Sequence, residues 1–374
     1  MIKILRKFSV ITTIIIASIF QSVHANVETV SPSYLLMDSK TGQVLLAKNE
    51  HEKRPMASVT KIMTLAVIME EIHNGNLAID QKIKASENAS KMGGSQIFLK
   101  ANEEMTADTL IKSIFVASAN DASVAMAEHI SGSVSAFVER MNKKAADLSL
   151  VNTVFKNPHG LDEDGHYSTA HDLAVISRAL ISYPEVTKYT TIWQDTIRDG
   201  AFELTNTNKL VRFYDGATGL KTGSTSKAGN CISATAKRNN LELIAVSLGA
   251  DTSANRFNDA KRILDYGFAN YKSIPLTSTK NTVATAEIIY GCETTVDLYP
   301  KEDIDFLLKT EDKDKIDKVI MVEPKKAPIN IGDVLGKISF TKNGEIISEC
   351  ELIATTAVEK KSYFDIINEF IKKL

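Results

Sequence analysis

Cysteine is scarce in this chain. Only Cys231, Cys292 and Cys350 occur among 374 residues, which excludes a disulfide-dense scaffold. Cys292 and Cys350 could pair, and three free thiols fit the sequence equally well. Cys231 follows Lys-Ala-Gly-Asn in a strand-like run and reads as a buried free thiol. Histidine is also sparse, at seven residues, with no His-Glu-x-x-His and no His-x-His. That argues against a catalytic zinc site, and no other metal or cofactor is implied. Charge of one sign is missing too. Lysine and arginine number 44 against 46 acidic residues, so nothing favours nucleic acid or another polyanion. Repeats and low-complexity tracts are absent, and the hydrophobic content of 44% is that of a folded soluble protein.

A long apolar run is missing as well. The nearest approach, Phe8–Phe20, is short for a bilayer span. It follows the basic residues Lys3, Arg6 and Lys7 and precedes Val23-His24-Ala25, a small-x-Ala cleavage pattern. Residues 1–25 therefore read as a secretory signal, with an uncleaved anchor as the alternative. Cleavage would remove three basic and no acidic residues, taking the net charge from −2 to −5. The expected location is the periplasm or the outer face of the cytoplasmic membrane, attached peripherally.

What is present falls into two parts. Tyr34–Met37 and Gln43–Lys48 read as strands around the turn Asp-Ser-Lys-Thr-Gly. Helical patterns follow at Ile62–Ile72, Met105–Ser118, Asn120–Ser131 and Ser135–Leu148. A turn-rich loop, Lys156–Ser168, leads to Thr169 and Asp172, a candidate capping box for the next helix. Gly229–Ala236 and Leu241–Leu248 read as paired strands, and Asn258–Asn270 as a final helix. Strands first and last with helices between imply an α+β domain, a sheet carrying a helical insert, over residues 26–272. Asn270–Asn281 reads as a linker. Residues 276–356 read as a small all-β domain, with Asn343-Gly344 as a hairpin signal. In the tail, 357–374, Phe364, Ile367, Phe370, Ile371 and Leu374 fall on one helical face. Such a helix suits a membrane surface; docking on its own domain is the alternative.

The chemistry rests on three short patterns, each cheap by itself. Ser-x-x-Lys occurs at Ser58–Lys61, Ser224–Lys227 and Ser339–Lys342. Lys-Thr-Gly occurs at Lys40–Gly42 and Lys221–Gly223, and Ser-Ala-Asn at Ser118–Asn120 and Ser253–Asn255. Only Ser58 opens a helical pattern, where a three-residue spacing puts Ser58 and Lys61 on one face. A helix start also favours the negative charge of an ionising hydroxyl. In isolation Ser58 reads as an ordinary N-cap. Lys40–Gly42 reads as a hairpin turn, and Ser253 as a turn before the last helix. Position selects Ser58, Ser118 and Lys221, in that chain order.

The stretches RPMASVTKIMT, SANDASVAMAE, NPHGLDEDGHYSTAHDLA and GLKTGSTSKAGNC closely resemble the low-molecular-mass penicillin-binding proteins, the serine-type D-Ala-D-Ala carboxypeptidases, over about residues 30–270. The resemblance implies a penicillin-binding, β-lactamase-like transpeptidase fold. It implies that Ser58 is the nucleophile, Lys61 its base, and Ser118 a proton relay to the leaving amine. Asn120 would bind the substrate amide. Lys221, Thr222 and Arg256 would bind its terminal carboxylate, along a strand that includes Gly223. The N–H groups of Ser58 and Ser224 would form the oxyanion hole. The implied partners are a peptidoglycan stem peptide ending in D-Ala-D-Ala, β-lactams as covalent inhibitors and a membrane surface. A D,D-endopeptidase and a β-lactamase are the alternatives. Glu163 lacks the Glu-x-x-Leu-Asn context that a β-lactamase of this kind would show.

Overall fold

A computed structural model describes residues 27–313 and 315–372; the expected secretory signal lies outside them. Five antiparallel strands form the first sheet: β1 (Ser33–Asp38), β2 (Val44–Lys48), β3 (Ala217–Thr225), β4 (Gly229–Arg238) and β5 (Leu241–Ala250), in the spatial order β2-β1-β5-β4-β3. Successive side chains point to opposite faces. Leu36, Leu243, Ile232 and Ala234 therefore meet Phe257, Ala260, Ile263 and Leu264 of one helix on one side. Leu35, Met37, Ile244 and Val246 face a larger helical core on the other.

Between β2 and β3 the chain forms the helical insert: α1 (Lys61–His73), α2 (Ala107–Val116), α3 (Asn120–Ser131), α4 (Val134–Asp147) and α5 (Ala170–Ile181). Residues Lys61 to Met69 of α1 are all buried. The helix is thus wrapped on every side, as a helix without a pronounced polar stripe must be. Side chains of Thr106, Ser133 and Thr169 cap α2, α4 and α5. At Thr169 only half of the expected box forms. Thr169 accepts from the Asp172 N–H at 3.0 Å, while the Asp172 carboxylate accepts instead from Thr153 Oγ1 at 2.7 Å.

The last helix of this region, α6 (Ser253–Asn270), begins five residues before the expected start. Thr252 caps it by accepting from the Asn255 N–H. The second Ser-Ala-Asn copy is therefore the first turn of α6 and not a turn ahead of it. The expected linker is also partly ordered as strand: β6 (Tyr271–Pro275) pairs with β9 (Asp305–Lys309). The interval between them and beyond holds β7 (Ala284–Ile289), β8 (Thr295–Pro300), β10 (Ile316–Val322), β11 (Val334–Lys342) and β12 (Glu345–Ala354). These join the two-residue strand Lys325–Lys326 in a six-stranded sheet of order β10-β11-β12-β8-β7-Lys325. Asn343 and Gly344 both take positive φ, 53° and 84°, as the two-residue turn between β11 and β12 requires. All three cysteines are free. Cys231 and Cys350 are buried and Cys292 is exposed, so the pair that the sequence left open does not form.

Helix α6 lies close to the sheet at Gly267. A Cβ there would stand 2.5 Å from Leu243 Cδ1 and 2.8 Å from Leu36 Cδ2. Gly267→Val changes helix propensity by only a few tenths of a kcal/mol, while overpacking a filled core costs about 1–3 kcal/mol. The substitution should therefore lower the urea midpoint of the protein. An unchanged midpoint would show that helix and sheet are not in close contact here.

Candidate active site

Ser58 stands in a short 3-10 turn, Ala57–Thr60, that runs directly into α1. It does not cap the helix: no side chain caps either start. Its Oγ accepts instead from Lys61 Nζ at 3.0 Å. The ordinary cap reading of the motif fails, and the two side chains of Ser-x-x-Lys are joined to each other.

Lys61 is fully buried, and three acceptors hold its amine. Besides Ser58 Oγ, Nζ donates to Asn120 Oδ1 and to the His159 carbonyl, both at 2.6 Å. An ammonium in such a place has lost its hydration. Burial pushes the Lys61 pKa well below the ordinary lysine value; the charge of Lys221 pushes the same way, and Asp121 opposes both. Neutral lysine is the form in which Nζ can accept a proton.

Ser118 and Asn120 arrive from the junction between α2 and α3. Ser118 is buried, takes φ +62° and makes no side-chain hydrogen bond among the described residues. A left-handed conformation at a serine is strained, and such strain concentrates at functional positions. Asn120 opens α3 and spans two elements: its Oδ1 faces Lys61, and its Nδ2 donates to the Gly93 carbonyl at 2.7 Å. One N–H of that amide is left to reach a substrate. The neighbouring Gly94 is left-handed, and a Cβ there would meet Asn120 Nδ2 at 2.8 Å. Buried Asp121 pins the same loop by accepting from the N–H groups of Ile97 and Leu99.

Strand β3 forms the opposite wall, at the edge of the sheet. Lys221 is buried, and its amine donates to the Thr222 carbonyl at 3.0 Å. Burial, with Arg256 nearby, lowers its pKa to about 7. Thr222 Oγ1 donates to Thr207 Oγ1 at 2.8 Å. Ser224 is exposed and donates to Asn230 Oδ1 at 3.3 Å. Gly223 also has a packing role. A Cβ there would come within 2.7 Å of Ser58 N and 2.8 Å of Val59 N. The glycine is what lets β3 lie against the turn that carries Ser58, and its contribution is spacing. Arg256 is no surface residue. It is 7% exposed, lies behind β3, and donates to the Gly223 carbonyl at 3.1 Å and to Ser253 Oγ at 3.0 Å. The second Ser-Ala-Asn copy thus supports the site from behind. Arg256 Nε is buried without a partner among the described residues.

The sequence marks the loop after α4, Lys156–Ser168, as turn-rich and family-like but assigns its residues no role. Pro158, His159 and Gly160 lie along α1: Thr64 Oγ1 donates to the Pro158 carbonyl and Lys61 to that of His159. Gly160, at φ +89°, lies so close to Ala57 that a Cβ would fall 2.0 Å from its carbonyl oxygen. Burial, the Lys61 charge and His166 lower the His159 pKa to about 3. Burial also lowers that of His166, to about 4, against the attraction of Glu163 and Asp162. Thr207 was missed too, although Asn-Thr-Asn is a turn signal. The loop that holds Asn120 carries a signal of its own in Gly93-Gly94. The remaining motif copies do not repeat the Ser58–Lys61 pairing. Lys40 is in the β1–β2 turn and pairs with Asp305. Lys227 pairs with Asp164, and Ser339 lies in β11.

The chain is similar to known proteins. The family model for D-alanyl-D-alanine carboxypeptidase matches residues 20–252, and that for the penicillin-binding protein 5 C-terminal domain matches 271–360. D-alanyl-D-alanine carboxypeptidase DacF of Bacillus subtilis is 43% identical over 88% of this chain and 86% of its own length. The crystal structure of penicillin-binding protein 5 from Haemophilus influenzae superposes with a TM-score of 0.70 at 30% identity, covering 89% of this chain and 98% of that one. Penicillin-binding protein D2 of Listeria monocytogenes, in its ampicillin-bound form, superposes with a TM-score of 0.60 at 30% identity, over 65% of this chain and 99% of that one. The chain belongs to the low-molecular-mass penicillin-binding proteins and is a serine-type D-Ala-D-Ala carboxypeptidase.

Proposed function

We propose that Ser58 is the nucleophile that cleaves the bond between the two D-alanines at the end of a peptidoglycan stem peptide, and that β-lactams acylate the same oxygen. The observation that carries this is the Ser58–Lys61 contact, 3.0 Å long, with an amine whose pKa burial pushes well below the ordinary lysine value. Lys61 takes the Ser58 proton as the oxygen attacks. The N–H groups of Ser58 and Ser224 receive the oxyanion. Ser118, with its hydroxyl free on the cleft side, passes a proton to the leaving amine. Water then releases the acyl group.

The substrate carboxylate belongs beside Lys221 and Thr222, with Arg256 behind them. In the empty cleft Lys221 has a pKa of about 7. A bound carboxylate raises it, because an opposite charge favours the ammonium. Substrate binding therefore charges Lys221, and that charge pushes Lys61 further towards its neutral, basic form. Recognition of the terminal carboxylate and activation of the nucleophile are coupled through two amines.

The protein acts outside the cytoplasmic membrane in this reading, after removal of residues 1–25. The tail helix, α7 (Tyr363–Lys372), leaves Tyr363, Phe364 and Ile371 exposed, Phe364 at 76%. No helix among the described residues is long and apolar enough to cross a membrane. A helix that exposes these apolar side chains, with lysines near its end in the sequence, suits an interfacial attachment.

A fluorescent penicillin should label the protein covalently and Ser58→Ala should remain unlabelled; labelling of Ser58→Ala would overturn the assignment. Purified enzyme should release free D-alanine from a pentapeptide and leave cross-linked dimers uncut, whereas cut dimers would make it an endopeptidase. Lys221→Met removes a charge that lowers the Lys61 pKa. Since neutral Lys61 is the active form, the acid limb of penicillin acylation should move to higher pH. A limb that stays put would separate the two amines. Deleting residues 362–374 should release the protein from vesicles, and retention would place the attachment elsewhere.

A further inference from the structure

Thr60 occupies the second x of Ser-x-x-Lys and is completely buried. Its Oγ1 donates to the Ala57 carbonyl at 2.8 Å and lies 2.7 Å from His166 Nε2. The other ring nitrogen settles the tautomer. His166 Nδ1 accepts from the Lys156 N–H at 2.9 Å, so it carries the lone pair and Nε2 carries the proton. The bonds therefore run in one direction, from Lys156 N–H to His166, from His166 to Thr60, and from Thr60 to the Ala57 carbonyl.

That carbonyl shares a peptide plane with the Ser58 N–H. The plane is rigid, and in the trans form its C=O and N–H point in opposite directions. Pulling the carbonyl towards Thr60 therefore turns the Ser58 N–H the other way, away from Thr60. The turn needs such a hold: Ala57 takes φ +49°, a left-handed conformation that is unfavourable for a residue with a Cβ. Gly160 closes on the same carbonyl from outside.

We propose that Thr60 and His166 are positioning residues for acyl transfer, aiming the Ser58 N–H at the developing oxyanion through the Ala57–Ser58 peptide. This rests on the reading of Ser58 as the nucleophile, and neither residue touches substrate. Removing an oxyanion-hole donor costs about 10²–10³ in rate. Thr60→Val and His166→Leu should each slow benzylpenicillin acylation by about 10²-fold. Thr60→Ser keeps the hydroxyl and His166→Gln keeps an N–H donor, so both should recover most of the rate.

The infrared band of the acyl-enzyme carbonyl separates positioning from general damage. Hydrogen bonds in the oxyanion hole lower its frequency, so it should rise in Thr60→Val and His166→Leu and stay near wild type in the conservative variants. An unmoved band, with or without slower acylation, overturns the proposal. If Thr60→Val does not fold, the comparison of His166→Leu with His166→Gln decides in the same way. Failure of wild-type protein to be labelled at Ser58 would instead sink the nucleophile assignment itself.

Discussion

One buried amine organises the cleft. Lys61 is the first residue of α1, and the turn that carries Ser58, helix α3 and the loop after α4 all meet around its Nζ. Its three hydrogen bonds go to three different parts of the chain. Burying an amine without partners would be prohibitively costly, so each acceptor is a condition for the fold as much as for the chemistry. The same burial that makes the position demanding also favours the free-amine form that can accept a proton, whereas an exposed lysine is protonated at neutral pH.

Glycines and arginines around this centre do work that no motif shows. Gly223 and Gly160 approach the Ser58 turn from two sides. Arg256 braces β3 from behind through the Gly223 carbonyl. The Ser58 turn is therefore clamped between a strand and a loop, with its backbone in a conformation that the neighbours impose.

Much of the fold was legible because the period changes cleanly along the chain. Helices in the insert and the strands β1, β2, β4 and β5 fall close to their expected limits, and Asn343-Gly344 marks its hairpin. The misses have local causes. Helix α6 starts at Ser253 because Thr252 caps it, and its polar first turn hides the start from a hydrophobic pattern. Tyr271–Pro275 lacks a strong apolar alternation, and its pairing with Asp305–Lys309 depends on a partner some 30 residues away. In the site, Ser58, Lys61, Ser118, Asn120 and Lys221 were found by type and spacing. Their neighbours Gly93, Gly160, His166 and Thr207 were not, because backbone carbonyls and close approaches leave no mark in a residue pattern. Gly223 was legible as part of Lys-Thr-Gly, but its close approach to the Ser58 turn was not.

The sheet order carries a consequence for how the molecule is made. Strand β1 pairs with β5, so Leu35 lies opposite Val246, about 210 residues later in the chain. A ribosome or an export channel delivers the first hairpin long before its neighbour exists. Contacts so distant in sequence are slow to form, and β1 waits with an unpaired edge that can recruit the wrong partner. The helical insert lies between the first hairpin and β3 in the chain and is delivered meanwhile. Folding of this enzyme is then gated by the arrival of residues 241–250, and a chain cut short before them would leave its first hairpin without its neighbour in the sheet.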